Sequence, residues 1–411
     1  MTQASAVTSG GLRRWFADLP LAQARWSRHE IAGALGDLGT FLPLLVAMTV
    51  QNGLNFGTAL LFAGVFNLVT GLLFSVPIAV QPMKAIAAIA IAQQLTLPQI
   101  VAAGAVVSLM ILILGLTGWI ERINRVIPPE VIRGLQMAIG LSLLTKGFGM
   151  VHHTGVWFAA DSYLVGIAAA IVALLLASSR RVPAALLLFA AGLVLAIAKS
   201  PQCLTSLHLG LTLPRPMAPS WDDFLAGTVK AAIPQLPLTT LNSVIAVCAL
   251  SSSLFPDRPI SQRRMAVSVG MMNLVGVWFG AMPMCHGAGG LAGQYRFGAR
   301  TNGSVLFLGA VKIVLALLFG SSLLALAMAF PWSILGVMVA ISGIELALSA
   351  RDQITRESWM VVLATVGACI GLNNVALGFA IGWCCYWMVR PGRPARGSSA
   401  DGTPRQMKDG G

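Results

Sequence analysis

One motif occurs twice, once in each half of the chain, and each copy leads into a segment that does not read as an ordinary membrane-spanning helix. Residues 64–77 are GVFNLVTGLLFSVP and residues 270–283 are GMMNLVGVWFGAMP. The pairs Gly64/Gly270, Asn67/Asn273, Leu68/Leu274, Val69/Val275 and Pro77/Pro283 share a single offset of 206 positions. Each proline opens a short, broken run: VPIAVQPMKAIAAIA in the first half, MPMCHGAGGLAGQYR in the second. Interrupted apolar segments at matching places in two halves point to the binding site of a secondary transporter. Such a site suits an anion, because a half-helix N-terminus offers free N–H groups and the positive end of a dipole.

Composition sets the medium. Of 411 residues, 56% are hydrophobic and 10% charged, against about 25% charged in soluble domains. Mean hydropathy is +0.80. This is a polytopic membrane protein. The net charge of +13 does not indicate a nucleic-acid partner. The basic residues sit at the ends of apolar runs or in the tails, and no basic helix carries interleaved aromatics. Residues 1–30 carry Arg13, Arg14, Arg25 and Arg28 without an apolar signal core, so the N-terminus is expected on the cytoplasmic side. Of the six cysteines, all but Cys203 fall in apolar runs, and no C-x-x-C occurs. No disulfide framework, metal site or cofactor is expected.

The expected fold is all-α: fourteen transmembrane segments arranged as a seven-plus-seven inverted repeat, with segments three and ten short, broken and ending in half-helices. Segment centres fall near residues 41, 66, 87, 109, 139, 169, 190, 241, 271, 290, 314, 340, 364 and 381. The divisions are a cytoplasmic tail 1–30, a first repeat 31–198, an extracytoplasmic connection 199–229, a second repeat 230–390, and a disordered cytoplasmic tail 391–411. A second match, IPPEVIRGLQMAIG at 127–140 with FPWSILGVMVAIS at 330–342, supports the repeat at an offset of 202. The first segments align at 198, placing Asp37 opposite Gln235. Loop charges give the inversion. First-half loops are basic after segments four (Arg122, Arg125) and six (Arg180, Arg181), where the second-half equivalents hold no Lys or Arg. Second-half loops are basic after its first (Arg258, Arg263, Arg264), third (Arg296, Arg300) and fifth (Arg351, Arg356) segments, where the first-half equivalents hold none. Opposite orientation of the halves, with both termini cytoplasmic, satisfies the positive-inside rule.

Charged side chains inside a bilayer are functional candidates by default. Here they are Asp37, Lys84, Lys146, Lys312 and Glu345. Pro77 and Pro82 favour extended chain over 77–81, and Pro82 suits the first turn of a half-helix running to about 94. The amides of Met83, Lys84 and Ala85 are then expected to face the gap, with the Lys84 charge beside them. In the second half 283–286 is expected to be extended, with His286 at the junction and Gly287, Gly289 and Gly290 permitting close approach. Two facing half-helix N-termini make a positive pocket suited to a tetrahedral dianion. No acidic residue lies within 283–298 to hold a neutral nucleobase. Blander readings stand beside these: the glycines as helix packing, Lys84 as a static partner of Asp37, and His286 as a neutral core residue. Lys146 and Lys312 are read as structural. Asp37, in GALGDLGTFLPL, and Glu345 are candidates for a coupling proton or ion pair.

At three motifs the chain resembles a known family. GDLGTFLPL (36–44), VQPMKAIAAIA (80–90) and PMCHGAGGLAGQYRFGAR (283–300) are similar to signatures of the molybdate transporter family MOT1, related to the SulP sulfate permeases. The resemblance spans roughly residues 30–390 and is to a branch lacking a STAS domain after the last segment. It implies the inverted-repeat fold shared by SulP and nucleobase permeases. A core domain of segments one to four and eight to eleven would move against a gate of the others. It implies secondary-active transport of an oxyanion, foremost molybdate, with sulfate or tungstate as alternatives. The implied substrate-binding residues are Gln81, Pro82, Met83 and Lys84 with Cys285, His286, Gly287, Ala288 and Gly289, flanked by Thr40, Asp37 and Gln235. Gln81, Thr40 and Gln235 would donate hydrogen bonds to ligand oxygens. A bacterial inner (plasma) membrane is the expected location, with membrane lipid and a homodimer as the partners considered. A sulfate transporter, a nucleobase or other small-solute permease, and a passive anion channel remain alternatives. An enzyme using Cys285 and His286 would lack an orienting acid, and no phosphate-binding loop for ATP occurs.

Overall fold

The computed structural model describes residues 23–176, 184–210 and 213–389. In chain order the helices are α1 (Arg28–Leu35), α2 (Leu38–Asn52), α3 (Phe56–Leu73), α4 (Lys84–Gln93), α5 (Leu97–Leu116), α6 (Trp119–Val126), α7 (Pro129–His152), α8 (Tyr163–Leu175), α9 (Ala184–Lys199), α10 (Gln202–Thr205), α11 (Trp221–Leu254), α12 (Gln262–Gly276), α13 (Ala288–Arg296), α14 (Gly303–Phe319), α15 (Leu323–Ala329), α16 (Trp332–Ala347), α17 (Arg356–Gly371) and α18 (Val375–Val389). Two strands interrupt them: β1 (Val80–Pro82) before α4 and β2 (Met284–His286) before α13. Every position read as a segment centre lies within one of these helices. By length and apolar composition six helices can cross a membrane, or seven if the bent pair α1–α2 forms one span; α8, α9 and α18 are apolar but shorter. The loop holding Arg180 and Arg181 and the C-terminal tail lie outside the described residues.

The fold departs from an all-helical reading at its centre. The two extended stretches pair antiparallel, Val80 opposite His286, Gln81 opposite Cys285 and Pro82 opposite Met284. Pro82 therefore ends a strand instead of opening a helix. The Met83 amide donates to the Pro283 carbonyl at 2.9 Å, which keeps the chain extended through Met83, so α4 starts at Lys84. A two-stranded ladder satisfies backbone groups that would otherwise be stranded away from water. A second difference is at the connection between the halves. α11 begins at Trp221, within the stretch read as a loop, because Ser220 and Asp223 form a capping box.

The repeated motif does the same job in each half. Asn67 anchors its Nδ2 on the Ala63 carbonyl (2.8 Å) and accepts from the Val80 amide (3.4 Å). Asn273 anchors on the Val269 carbonyl (2.8 Å), donates to the Met284 carbonyl (2.5 Å) and accepts from the Met284 amide (2.7 Å). Gly64 lets α3 approach α14: a Cβ there would sit 2.9 Å from the Gly309 carbonyl oxygen. Gly270 lets α12 approach α5, with the Ser108 carbonyl oxygen at 2.9 Å from such a Cβ. Each motif-bearing helix thus packs on a helix of the other half, α3 on α14 and α12 on α5, while α7 and α16 pack on each other.

The basic loops gather on one face. Arg263 donates to the Leu116 carbonyl at the end of α5 (3.0 Å), Arg264 to the Leu73 carbonyl at the end of α3 (3.0 Å), and Arg258 to the Ser75 and Arg300 carbonyls (2.8 and 2.9 Å). Cations at helix C-termini meet the negative dipole end and the last free carbonyls. Arg133 pairs with Asp352 on the same face at 2.6 Å. At the opposite face Asp161 caps α16, accepting from Trp332 and Ser333 amides at 2.9 and 3.0 Å.

Candidate functional site

The site forms where the broken helix α1–α2, the ladder, and helices α4, α11, α13 and α14 converge. α1 and α2 meet at a bend of 42°. Asp37 stands at that bend, 2% exposed. Thr40 donates to an Asp37 carboxylate oxygen (2.5 Å), and the Gln81 amide donates to the same oxygen and to Thr40 (2.7 Å). Asp37, Thr40 and Gln81 are therefore one buried cluster, in which Thr40 and Gln81, expected as donors to ligand oxygens, donate to Asp37. Among the described residues the second Asp37 oxygen and the Gln81 carbonyl oxygen have no hydrogen-bond partner.

Lys84 is the first residue of α4, and its ammonium is buried with no hydrogen-bond acceptor among the described residues. It makes no contact ion pair with Asp37 among the described residues; its charge reaches Asp37 and Cys285 across the site. Lys312, read from the sequence as structural, belongs here too. It lies on α14, 4% exposed, with its ammonium 3.7 Å above the Phe41 ring and its charge reaching Asp37. Lys146 of α7 adds its charge near Lys84. The Asp37 carboxylate thus lies within reach of two lysine charges, Lys312 and Lys84. Anything that joins this group without leaving charge unbalanced in a low-dielectric interior should be anionic.

The other predicted residues take distinct places. Cys285 is 5% exposed and faces Gln81 across the ladder. His286 is fully buried, sits 3.1 Å from the Ser268 hydroxyl and stacks edge-on to Phe74, which gives it the neighbours of a core residue. Gly287 precedes α13 and Ala288 opens it, with no side-chain cap at that end. Side chains on Gly287 or Gly290 would run into Gln81, and one on Gly289 would meet Leu143 of α7. The glycines are filled by the protein's own side chains in this conformation. The half-helix end of α4 also differs from expectation. Gln235 does not point a donor into the gap. Its carbonyl oxygen accepts from the Ala85 and Ile86 amides at 2.8 and 3.2 Å, while its NH₂ group donates to Thr239 at 2.8 Å. Glu345 stands apart from the cluster. It faces Arg296, at the far end of α13, at 4.0 Å. Thr239 and Phe41 are site neighbours that the sequence did not single out; the only trace of the first was its place one helical turn after Gln235.

Comparison with known proteins places the chain in a family. A family model described as "Molybdate transporter of MFS superfamily" matches residues 29–143 and 227–346. Molybdate transporter 2 of Arabidopsis thaliana is 39% identical over 404 residues, covering 88% of this chain and 87% of the plant protein. Molybdate transporter 1 of Chlamydomonas reinhardtii is 35% identical over 501 residues, covering 95% of this chain and 96% of the algal one. Among solved structures, murine Solute Carrier 26 family member A9, an anion transporter in the inward-facing state, shares the fold with a TM-score of 0.60 at 16% identity, covering 95% of this chain and 73% of that one. The transmembrane domain of the cyanobacterial bicarbonate transporter BicA shares it with a TM-score of 0.56 at 16% identity, covering 87% of this chain and 97% of that one. At these identities the likeness is of fold alone. With a family model matching more than half of its length and relatives well above 30% identity along most of it, the chain belongs to the molybdate transporter family.

Proposed function

We propose that this protein is a secondary-active transporter that carries molybdate by alternating access, holding the dianion between the N-termini of α4 and α13. The observation that carries this reading is the uncompensated Lys84 ammonium at the start of a half-helix, opposite a second half-helix with an uncapped end. Lys84, Lys312 and the two helix dipoles offset the ligand's charge, each dipole contributing about half an elementary charge. Gln81 stands between the two ends and Asp37 moderates the positive field. Sulfate and tungstate have the same shape and charge and are the natural competitors. The relatives named as molybdate transporters favour molybdate.

The seven-plus-seven inverted arrangement is part of the proposal. Its support is the antiparallel pairing of the two broken segments, the exchanged packing of α3 on α14 and α12 on α5, and the corresponding places of Asn67 and Asn273, each bonded to the strand that follows it. In this reading the basic face is cytoplasmic. The test is uptake of molybdate into vesicles containing purified protein, with sulfate as competitor. Lys84→Met is expected to lower uptake about ten- to a hundredfold, the range for losing a charge-assisted contact in a buried site. Normal accumulation by a folded Lys84→Met protein rules out this site.

A further inference from the structure

Gln235 is fully buried on α11, between two π-helical stretches, Thr228–Ala232 and Thr239–Ala246. Its carbonyl oxygen receives two backbone donors, the amides of Ala85 and Ile86 in the first turn of α4. Only an oxygen can accept them, so the orientation of this amide follows from the donors around it. The Thr239 hydroxyl oxygen accepts a hydrogen bond from the Gln235 NH₂ group at 2.8 Å and keeps the carbonyl oxygen turned toward α4. Among the described residues α13 has no equivalent side-chain cap. Asp37, the counterpart of Gln235 at an offset of 198, accepts from Thr40 and Gln81 instead.

An oxygen therefore already occupies the place at α4 that a ligand oxygen would take. The reason is physical. Inside a membrane, unsatisfied amides cost free energy that water cannot recover. A half-helix that must wait empty between transport cycles needs a temporary acceptor. We infer that Gln235 is that acceptor: a neutral self-ligand that holds the α4 amides when no anion is bound and yields them when one arrives. The inference rests on the anion site proposed above. An amide oxygen carries only a partial charge, so an oxyanion beside Lys84 forms stronger, charge-assisted bonds with the same donors and displaces it. A carboxylate at this position would act as a permanently bound anion. Gln235 thus opposes binding and sets how tightly the site holds its substrate, the reverse of an ordinary ligand-contacting residue.

The sign of one mutation decides the matter. Molybdate binding is measured at equilibrium on the purified full-length protein and on Gln235→Met, Gln235→Glu, Thr239→Val and Lys84→Met. Gln235→Met keeps the side-chain volume but removes the acceptor. It is expected to tighten binding about three- to tenfold, the net effect of losing a competing hydrogen bond. Gln235→Glu is expected to abolish binding while the protein stays folded. Thr239→Val keeps Gln235 but frees it to turn, so it tightens binding by a smaller factor; it also answers the question if the methionine variant does not fold. Unchanged or weaker binding by Gln235→Met, or by Thr239→Val in its place, overturns the inference. If that occurs while Lys84→Met loses binding, only the self-ligand fails. If wild type binds no molybdate, or Lys84→Met binds as wild type does, the anion site itself fails and the inference goes with it.

Discussion

Asn67 and Asn273 hold equivalent places in the repeated motif, yet they grip their strands unequally. Asn273 both donates to and accepts from the backbone of Met284, at 2.5 and 2.7 Å. Asn67 touches its strand once, through the Val80 amide at 3.4 Å. Both residues are fully buried, so a lost bond leaves strand groups without water to replace it. Asn273→Leu is therefore expected to cost about 2–4 kcal/mol of stability and Asn67→Leu about 1 kcal/mol. Thermal unfolding of the two purified variants checks this, and an equal loss would show that the strands are held elsewhere. The sequence announced these asparagines only as markers of a repeat. Their role needed the partner strand, which lies 13 residues away from Asn67 in the chain and 11 from Asn273. Lys84 and Gln81 were legible because a charge and an amide beside two prolines have few reasons to sit in an apolar run. Lys312 was not: nothing in GAVKIVLALLF shows that its ammonium lies over the Phe41 ring, a contact made across more than 250 residues of chain, or that its charge reaches Asp37.

At the level of elements, glycines set how near two helices come. α7 and α16 cross through two close pairs. A Cβ on Gly343 would lie 2.5 Å from the Gly140 carbonyl oxygen and 2.7 Å from the Leu144 amide. One on Gly336 would lie 2.6 Å from the Gly147 carbonyl oxygen. In a bilayer such approach supplies packing that lipid tails do not. On α17, by contrast, a Cβ on Gly367 would meet nothing. The same substitution should then act with opposite signs. Gly343→Ala forces the helices apart and is expected to cost about 1–3 kcal/mol. Gly367→Ala improves helix propensity and is expected to be neutral or stabilising by up to about 1 kcal/mol. Melting temperatures of the two variants, measured side by side, test the assignment; a fall for both would place a packing partner on α17. The helices themselves were readable from apolar runs and their breaks. The start of α4 was not, because Pro82 fits both a first helical turn and a strand end. The bond from the Met83 amide to Pro283, in the other half of the molecule, decided between them. The two π-helical stretches of α11 also left no mark in the sequence, since the apolar pattern of a helix survives one extra residue per turn.

For the whole molecule, the charge pattern and the hydrogen bonds separate the same two faces. The connections after α5, α11, α13 and α16, with the helices that follow the first two, carry Arg122 and Arg125, Arg258 and Arg263, Arg300, and Arg351, and cross-bonds such as Arg263 to Leu116 and Arg258 to Ser75 bring members of both halves together. At the other face, Asp161 reaches Trp332, again joining the halves, and the Gly210 amide of the connection reaches the Leu318 carbonyl at 2.9 Å, through loops poor in Lys and Arg. Two independent signals agree, one from insertion preference and one from packing. If the halves are inverted with the basic face inside, a cysteine at position 154 and a cysteine at position 257 lie on opposite sides of the membrane. Thr154→Cys is expected to react with a membrane-impermeant maleimide in intact cells, and Asp257→Cys only after permeabilisation. The native cysteines are replaced first, since Cys384 is exposed on the surface. Labelling of both positions from outside would break the inverted arrangement. Labelling in the reverse order would keep the arrangement and turn the molecule over, which would place the arginine-rich loops against the outer leaflet. That outcome is opposed by the energetics of moving so many guanidinium groups across the bilayer during insertion.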